Sequence, residues 1–148
     1  MNATAYDDLV MDHIKNARNY RAPEVFDHRA SGVNPLCGDE MLVYVRLEGE
    51  RIADVAFQCT CCGISMASAS AMTELIKGET VADARRELRD FVTALRSPGE
   101  AAAHALSAEK LALIDTVRRF PARVRCAMLP WVTLEGALSG DNEVVTVP

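Results

Sequence analysis

Met41-Leu42-Val43-Tyr44-Val45-Arg46-Leu47-Glu48-Gly49-Glu50-Arg51-Ile52-Ala53-Asp54-Val55-Ala56-Phe57 decides the fold. Met41, Val43, Val45 and Leu47 alternate onto one face, Glu48-Gly49-Glu50 turns the chain, and Ile52 to Phe57 returns it, which predicts a β-hairpin. Cys59-Thr60-Cys61-Cys62 closes the second strand. Ile64 to Lys77 then forms a run of small and apolar residues that Gly78 caps, which predicts a helix. A hairpin that runs straight into a helix predicts an α+β domain: a small antiparallel sheet with helices packed over one face. Cys62 falls at or just before the helix N-terminus, where the positive end of the dipole stabilises a thiolate.

Working outward, Asn34-Pro35 breaks the chain ahead of Cys37-Gly38-Asp39 and places Cys37 on a loop. Upstream, Thr4-Ala5-Tyr6-Asp7 reads as a capping box that opens a first helix, with Tyr6, Val10, His13 and Ala17 on one face. That pattern makes His13 a packed, hydrogen-bonded residue and not a metal ligand. Downstream, Thr80 with Asp83 opens a third helix that buries Val81, Ala84, Leu88, Phe91 and Leu95, and Ser97-Pro98-Gly99 stops it. Glu100 to Val117 is Ala-rich with a helical pattern, and Pro121 begins a last helix that carries Cys126 and ends near Gly140. An interior Pro130 removes a backbone bond at a cost of about 3 kcal/mol, so a kink or break is expected one turn beyond Cys126. Asp141 to Pro148 shows no pattern and reads as a mobile tail behind a single domain spanning 1–140.

Cys37, Cys59, Cys61, Cys62 and Cys126, with the carboxylate of Asp39, are the residues with chemistry to offer. Zinc takes such a mixture of thiolates and carboxylate, and thiolates also anchor iron–sulfur clusters. Five cysteines in 148 residues, with no secretory leader in Met1 to Asn16 and no segment able to span a bilayer, point to free thiols in a reducing cytoplasm. A net charge of −5 and a pI near 5.2 argue against a nucleic-acid partner. The local basic run, Arg118-Arg119 and Arg123-Val124-Arg125, reads as a solvated face.

Three separated motifs carry a resemblance: Asn34-Pro35-Leu36-Cys37-Gly38-Asp39, then Gly63-Ile64-Ser65-Met66-Ala67-Ser68-Ala69-Ser70 directly after Cys62, then Phe120-Pro121-Ala122-Arg123-Val124-Arg125-Cys126-Ala127. In this order they resemble the IscU/SufU (NifU N-terminal) family of iron–sulfur cluster assembly proteins, from about Tyr6 to Leu138. Asp12-His13 with Asn16-Ala17-Arg18-Asn19 is similar to that family's opening helix, with Ala17 where a proline is usual. IscU-type scaffolds place a histidine just before the third cysteine and carry a Leu-Pro-Pro-Val-Lys segment read by a chaperone. Here Arg125 stands in the histidine position, the segment is absent, and Arg96 to Arg118 resembles the insertion of the SufU branch.

That resemblance implies a zinc site of Cys37, Asp39, Cys62 and Cys126, and a pyridoxal-phosphate cysteine desulfurase (SufS-like) as partner, one of whose histidines takes over at the zinc and frees Cys37 to become a persulfide. It implies sulfur delivery to a downstream iron–sulfur scaffold complex, with Arg125 facing a partner. The alternative is an IscU-type scaffold that assembles a [2Fe–2S] cluster on Cys37, Cys62 and Cys126; a zinc-stabilised adaptor that only binds other proteins is a third reading. Cys59 and Cys61 depart from the pattern, which has a small or polar residue and a glycine there. They read either as inert neighbours or as accessory thiols, a spare ligand or a disulfide partner.

Overall fold

A computed structural model of the chain describes residues 8–97, 107–140 and 144–147. The capping box at Thr4 to Asp7, the Pro98-Gly99 stop and the first residues of the Ala-rich stretch lie outside the described residues. The elements run α1 (Asp8–Lys15), β1 (His28–Asn34), β2 (Asp39–Glu48), β3 (Arg51–Thr60), α2 (Gly63–Ile76), α3 (Val81–Arg96), α4 (Ala108–Arg119), α5 (Val124–Leu138) and β4 (Val144–Thr146).

The hairpin read from the sequence is β2–β3, and its register puts Met41 opposite Cys59, Val43 opposite Phe57 and Val45 opposite Val55. β1 adds Gly32 opposite Met41 and Ala30 opposite Val43. These residues form one apolar face, and Val43, Val45, Val55 and Phe57 are fully buried beneath the helices. α5 lies across β1 and β2, and α2 lies beside it behind β3; α1 packs on α2, and α3 on α5. Gly32 is required where α5 comes closest: a Cβ there would collide with the Thr133 hydroxyl. The opposite face carries Tyr44, whose ring meets Phe26 edge-on at 5.2 Å. The free edge of β3 is covered by the segment after α1, with backbone bonds from Arg21 N to the Phe57 carbonyl and from Phe57 N to the Asn19 carbonyl.

Three expectations need correction. The sheet is mixed and not purely antiparallel, because β4 pairs in parallel with β1 and gives the strand order β3-β2-β1-β4. The tail, read as patternless and mobile, therefore supplies an edge strand of three β-branched residues, Val144-Val145-Thr146, too short for a period to register. Pro130 does not break the last helix. α5 runs as one element from Val124 to Leu138, after a 3-10 turn at Pro121–Arg123.

The Pro130 result has a local cause. Proline at 130 takes away the N–H that would bond the carbonyl of Cys126, four residues back. The Ser65 hydroxyl of α2 donates to that carbonyl at 2.9 Å, and the Ser68 hydroxyl donates to the next one, Ala127, at 2.6 Å. Donors from a neighbouring helix thus replace the missing backbone bond and hold α5 against α2.

Among the described residues, the α3 cap, the Gly78 stop and the packed His13 are as read. Thr80 Oγ1 caps α3 by accepting from Asp83 N at 3.1 Å, and Ala84, Leu88, Phe91 and Leu95 are buried, with Val81 half-buried at the start. Gly78 takes φ +91° just past α2, a left-handed conformation that glycine adopts without a Cβ penalty. His13 is buried with Nδ1 2.7 Å from Ser70 Oγ, and burial pushes its pKa down.

Candidate metal centre

The β1–β2 connection, residues 35–38, presents Cys37. Cys37 N and Gly38 N both bond to the Asn34 carbonyl, at 3.2 and 2.9 Å, and Gly38 has φ +73°, so the turn is tight and its cysteine exposed. Asp39 opens β2 and is buried. Cys126 stands in the first turn of α5, also buried, which is the position the 3-10 turn at Pro121 sets. One ligand atom from each of Cys37, Asp39 and Cys126 lies within 4.8 Å of the others, with the two sulfurs 3.8 Å apart. A tetrahedron with Zn–S bonds of about 2.3 Å has edges of about 3.8 Å, so this donor set fits a tetrahedral soft metal.

Cys62 is the N-cap of α2, as the sequence suggested. Its sulfur lies 3.7 Å from Ser65 Oγ and interacts with Cys126, so it stands beside the triple but outside the group whose ligand atoms all lie within 4.8 Å of one another. The Cys126 thiol, donating to it, does most to hold the Cys62 thiol down at about 5, with help from the Ser65 amide and against the effect of burial and of the nearby Asp39 charge. Cys126 is pushed up by the same hydrogen bond, by burial and by the negative charge beside it.

Cys59 and Cys61 do not join this set. Their sulfurs are joined in a disulfide, and both are half-buried against the core. Of the two readings left open, the disulfide partner is therefore the one found. Arg125 is exposed at the start of α5, as are Arg118 and Arg119, and Arg119 pairs with Asp115 at 3.4 Å.

Two residues escaped sequence reasoning. Ser65 is fully buried, and its Oγ donates to the Cys126 carbonyl, stands 3.3 Å from Asp39 Oδ2 and touches Cys62 Sγ, so one hydroxyl links three of the four candidate ligand residues. Asn34, also fully buried, directs Nδ2 at Cys126 Sγ at 3.8 Å, and its Oδ1 has no partner among the described residues. A serine inside a small-residue helix stripe and an asparagine before proline read as packing and turn, and only the fold shows their second use. Ser65→Ala is expected to lower stability by about 1–3 kcal/mol, because the Cys126 carbonyl loses its donor. Adding Pro130→Ala restores a backbone N–H and should recover much of that loss. Urea unfolding of the single and double variants measures it, and strict additivity of the two would refute the coupling.

The chain matches a family model described as the NifU-like N terminal domain over residues 5–127. It is 35% identical over 142 residues to the zinc-dependent sulfurtransferase SufU of Bacillus subtilis (strain 168), covering 94% of this chain and 92% of that protein. It is 39% identical over 87 residues to the iron–sulfur cluster assembly scaffold protein IscU 1 of Archaeoglobus fulgidus, covering 59% of this chain and 57% of that one. Among solved structures, an iron–sulfur cluster assembly scaffold protein for the SUF system from Fervidobacterium islandicum AW-1 superposes with a TM-score of 0.81 at 32% identity, covering 90% of this chain and 96% of the other.

Proposed function

We propose, from the premise that this chain belongs to the NifU-like N-terminal domain family of iron–sulfur cluster assembly proteins, that Cys37 is a sulfur acceptor. It takes persulfide sulfur from a pyridoxal-phosphate cysteine desulfurase in the cytoplasm and passes it to the downstream iron–sulfur scaffold complex. The observation that carries the reading is the contrast inside the site: Cys37 is exposed on a turn, whereas Asp39 and Cys126 are buried. A purely structural site needs no ligand at the surface, but an acceptor needs its sulfur where a partner can reach it.

Cys37, Asp39, Cys62 and Cys126 would hold zinc, which keeps bound thiols deprotonated without redox chemistry of its own. The chain's own groups do the rest. The turn at Pro35 to Gly38 presents the Cys37 sulfur, and the Asn34 carbonyl fixes that turn through two backbone bonds. Ser65 and Asn34 fasten Cys126, so the buried half of the site stays in place when Cys37 moves out to react. Arg125, exposed in the first turn of α5 beside Cys126, gives a cationic approach for the partner. Among the described residues no helix is long and apolar enough to cross a membrane.

Metal content tests this. Freshly purified protein should be colourless with about one zinc per chain, and a chelator should lower its melting temperature, since ligand at 100 times its Kd adds about 2.7 kcal/mol. Cys62→Ser should lose the metal, while Cys59→Ser and Cys61→Ser should keep it. A brown, zinc-free protein with iron and sulfide in equal amounts would favour a [2Fe–2S] cluster on Cys37, Cys62 and Cys126, the scaffold reading that the same three thiols permit. Release of zinc by Cys59→Ser and not by Cys62→Ser would show the ligand set to be wrong.

A further inference from the structure

The Cys59–Cys61 pair has no part in the site described above, yet the fold puts it beside that site. Glu40 is paired with Thr60 across β2 and β3, so the next residues outward, Asp39 and Cys61, flank the same end of the ladder. Asp39 follows the Cys37 turn by two residues, and Cys62 follows Cys61 directly. The pair is half-buried against the core, with exposed Thr60 between its members. Tyr20 fastens the segment: its hydroxyl donates to the Cys59 carbonyl at 3.0 Å and accepts from Cys59 N at 3.3 Å. Two cysteines that can close on each other, held at the same end of the sheet as the turn that exposes Cys37, form a two-electron couple at the end where sulfane sulfur would arrive.

We infer that Cys59 and Cys61, in their dithiol form, reduce the sulfur carried on Cys37 and release it as sulfide, ending in the disulfide seen here. This rests on Cys37 being the persulfide acceptor. In the first step Cys61 Sγ attacks the outer sulfur of the Cys37 persulfide. The Cys37 S–S bond breaks, Cys37 leaves as the thiol form, and the outer sulfur is now bonded to Cys61. In the second step Cys59 Sγ attacks Cys61 Sγ, the Cys59–Cys61 bond forms, and hydrosulfide leaves with the electron pair of the broken bond. The sum is one persulfide and two thiols giving one thiol, one disulfide and hydrogen sulfide. The sulfane sulfur gains two electrons, and the cysteine pair loses them. A soluble dithiol reductant returns the pair to its starting state. The activity is therefore reductive sulfide release, in addition to sulfur carriage.

A single-turnover experiment without added thiol tests this. Zinc-loaded protein is reduced, freed of reductant, and mixed with a cysteine desulfurase and limiting cysteine. Free sulfide is assayed, and persulfide and disulfide are located by intact mass and peptide mapping. Wild type should release about one sulfide per chain and acquire the Cys59–Cys61 disulfide, and Cys59→Ser and Cys61→Ser should release less than about a tenth of that. The persulfide, a gain of about 32 Da, should remain on Cys61 in Cys59→Ser and on Cys37 in Cys61→Ser. Cys59→Ala and Cys61→Ala, compared at equal zinc content, guard against a folding defect in one serine variant. If Cys37 gains the 32 Da in every protein but sulfide release is equal across wild type and variants, the inference fails and the acceptor reading stands. If Cys37 never gains it, in wild type or variants, both fail.

Discussion

Cys37→Ala should reduce the stimulation of a cysteine desulfurase to the rate of the enzyme alone, a loss of at least about tenfold, and should leave the fold unchanged. The argument is local. The turn is made by the Asn34 carbonyl and by Gly38 in its left-handed conformation, neither of which uses the Cys37 side chain. The side chain's recorded contact is 3.8 Å from Cys126 Sγ, and the residue is exposed, so alanine leaves no buried cavity. What disappears is the sulfur of the proposed acceptor. Alanine release and intact mass, followed together without added iron, give the readout. Full stimulation by Cys37→Ala would rule out transfer through this residue, as would stimulation by wild type only after a [2Fe–2S] cluster has formed on it.

Trp131→Ala should cost about 3–5 kcal/mol, a large part of the roughly 5–15 kcal/mol that holds a domain together. Trp131 is fully buried on α5 and meets Phe91 of α3 edge-on, with ring centroids 4.9 Å apart. Its Nε1 donates to Ser68 Oγ at 3.0 Å, the same hydroxyl that donates to the Ala127 carbonyl. Lys110 of α4 places its Nζ 5.6 Å from the ring while pairing with Glu87 at 2.7 Å. Alanine would thus open a cavity where three helices meet and leave a buried ammonium without one of its two aromatic faces. Trp131→Phe keeps much of the volume and loses the Nε1 bond, so its cost should fall to about 1–2 kcal/mol. Urea midpoints order the three proteins; equal midpoints for wild type and Trp131→Ala would contradict this account of the core.

The sequence was most legible where local rules and burial agree. β2 and β3 alternate because one face is covered and the other is not, and α3 has both a cap and a buried stripe, so both could be read directly. β1 could not. His28 to Asn34 contains arginine, serine and glycine, and it is a strand because it pairs with β2 and β4, while the closeness of α5 explains the glycine at 32. β4 depends in the same way on a partner far away in the chain. In the site, the five cysteines and Asp39 stood out as residue types with ligand chemistry, and the family resemblance singled out Cys37, Asp39, Cys62 and Cys126 among them. Their supports stayed hidden. Asn34 and Ser65 belong to residue types common in turns and small-residue stripes, and their role lies in contacts spanning 92 and 61 residues of chain.

Ser65 and Pro130 belong to different helices, yet neither is independent of the other. Proline removes a donor from the Cys126 carbonyl and serine supplies one. With an ordinary residue at 130 the helix would satisfy its own carbonyl, and the serine would have no vacancy to fill. With proline at 130 and no serine, the carbonyl beside a candidate metal ligand would be buried with nothing to bond it. As descendants of this sequence diverge, the two positions therefore form one unit of inheritance: a lineage that drops the proline leaves the serine held only by its contacts to Asp39 and Cys62, and a lineage that loses the serine first meets a fitness valley. The route between the two forms runs through position 130.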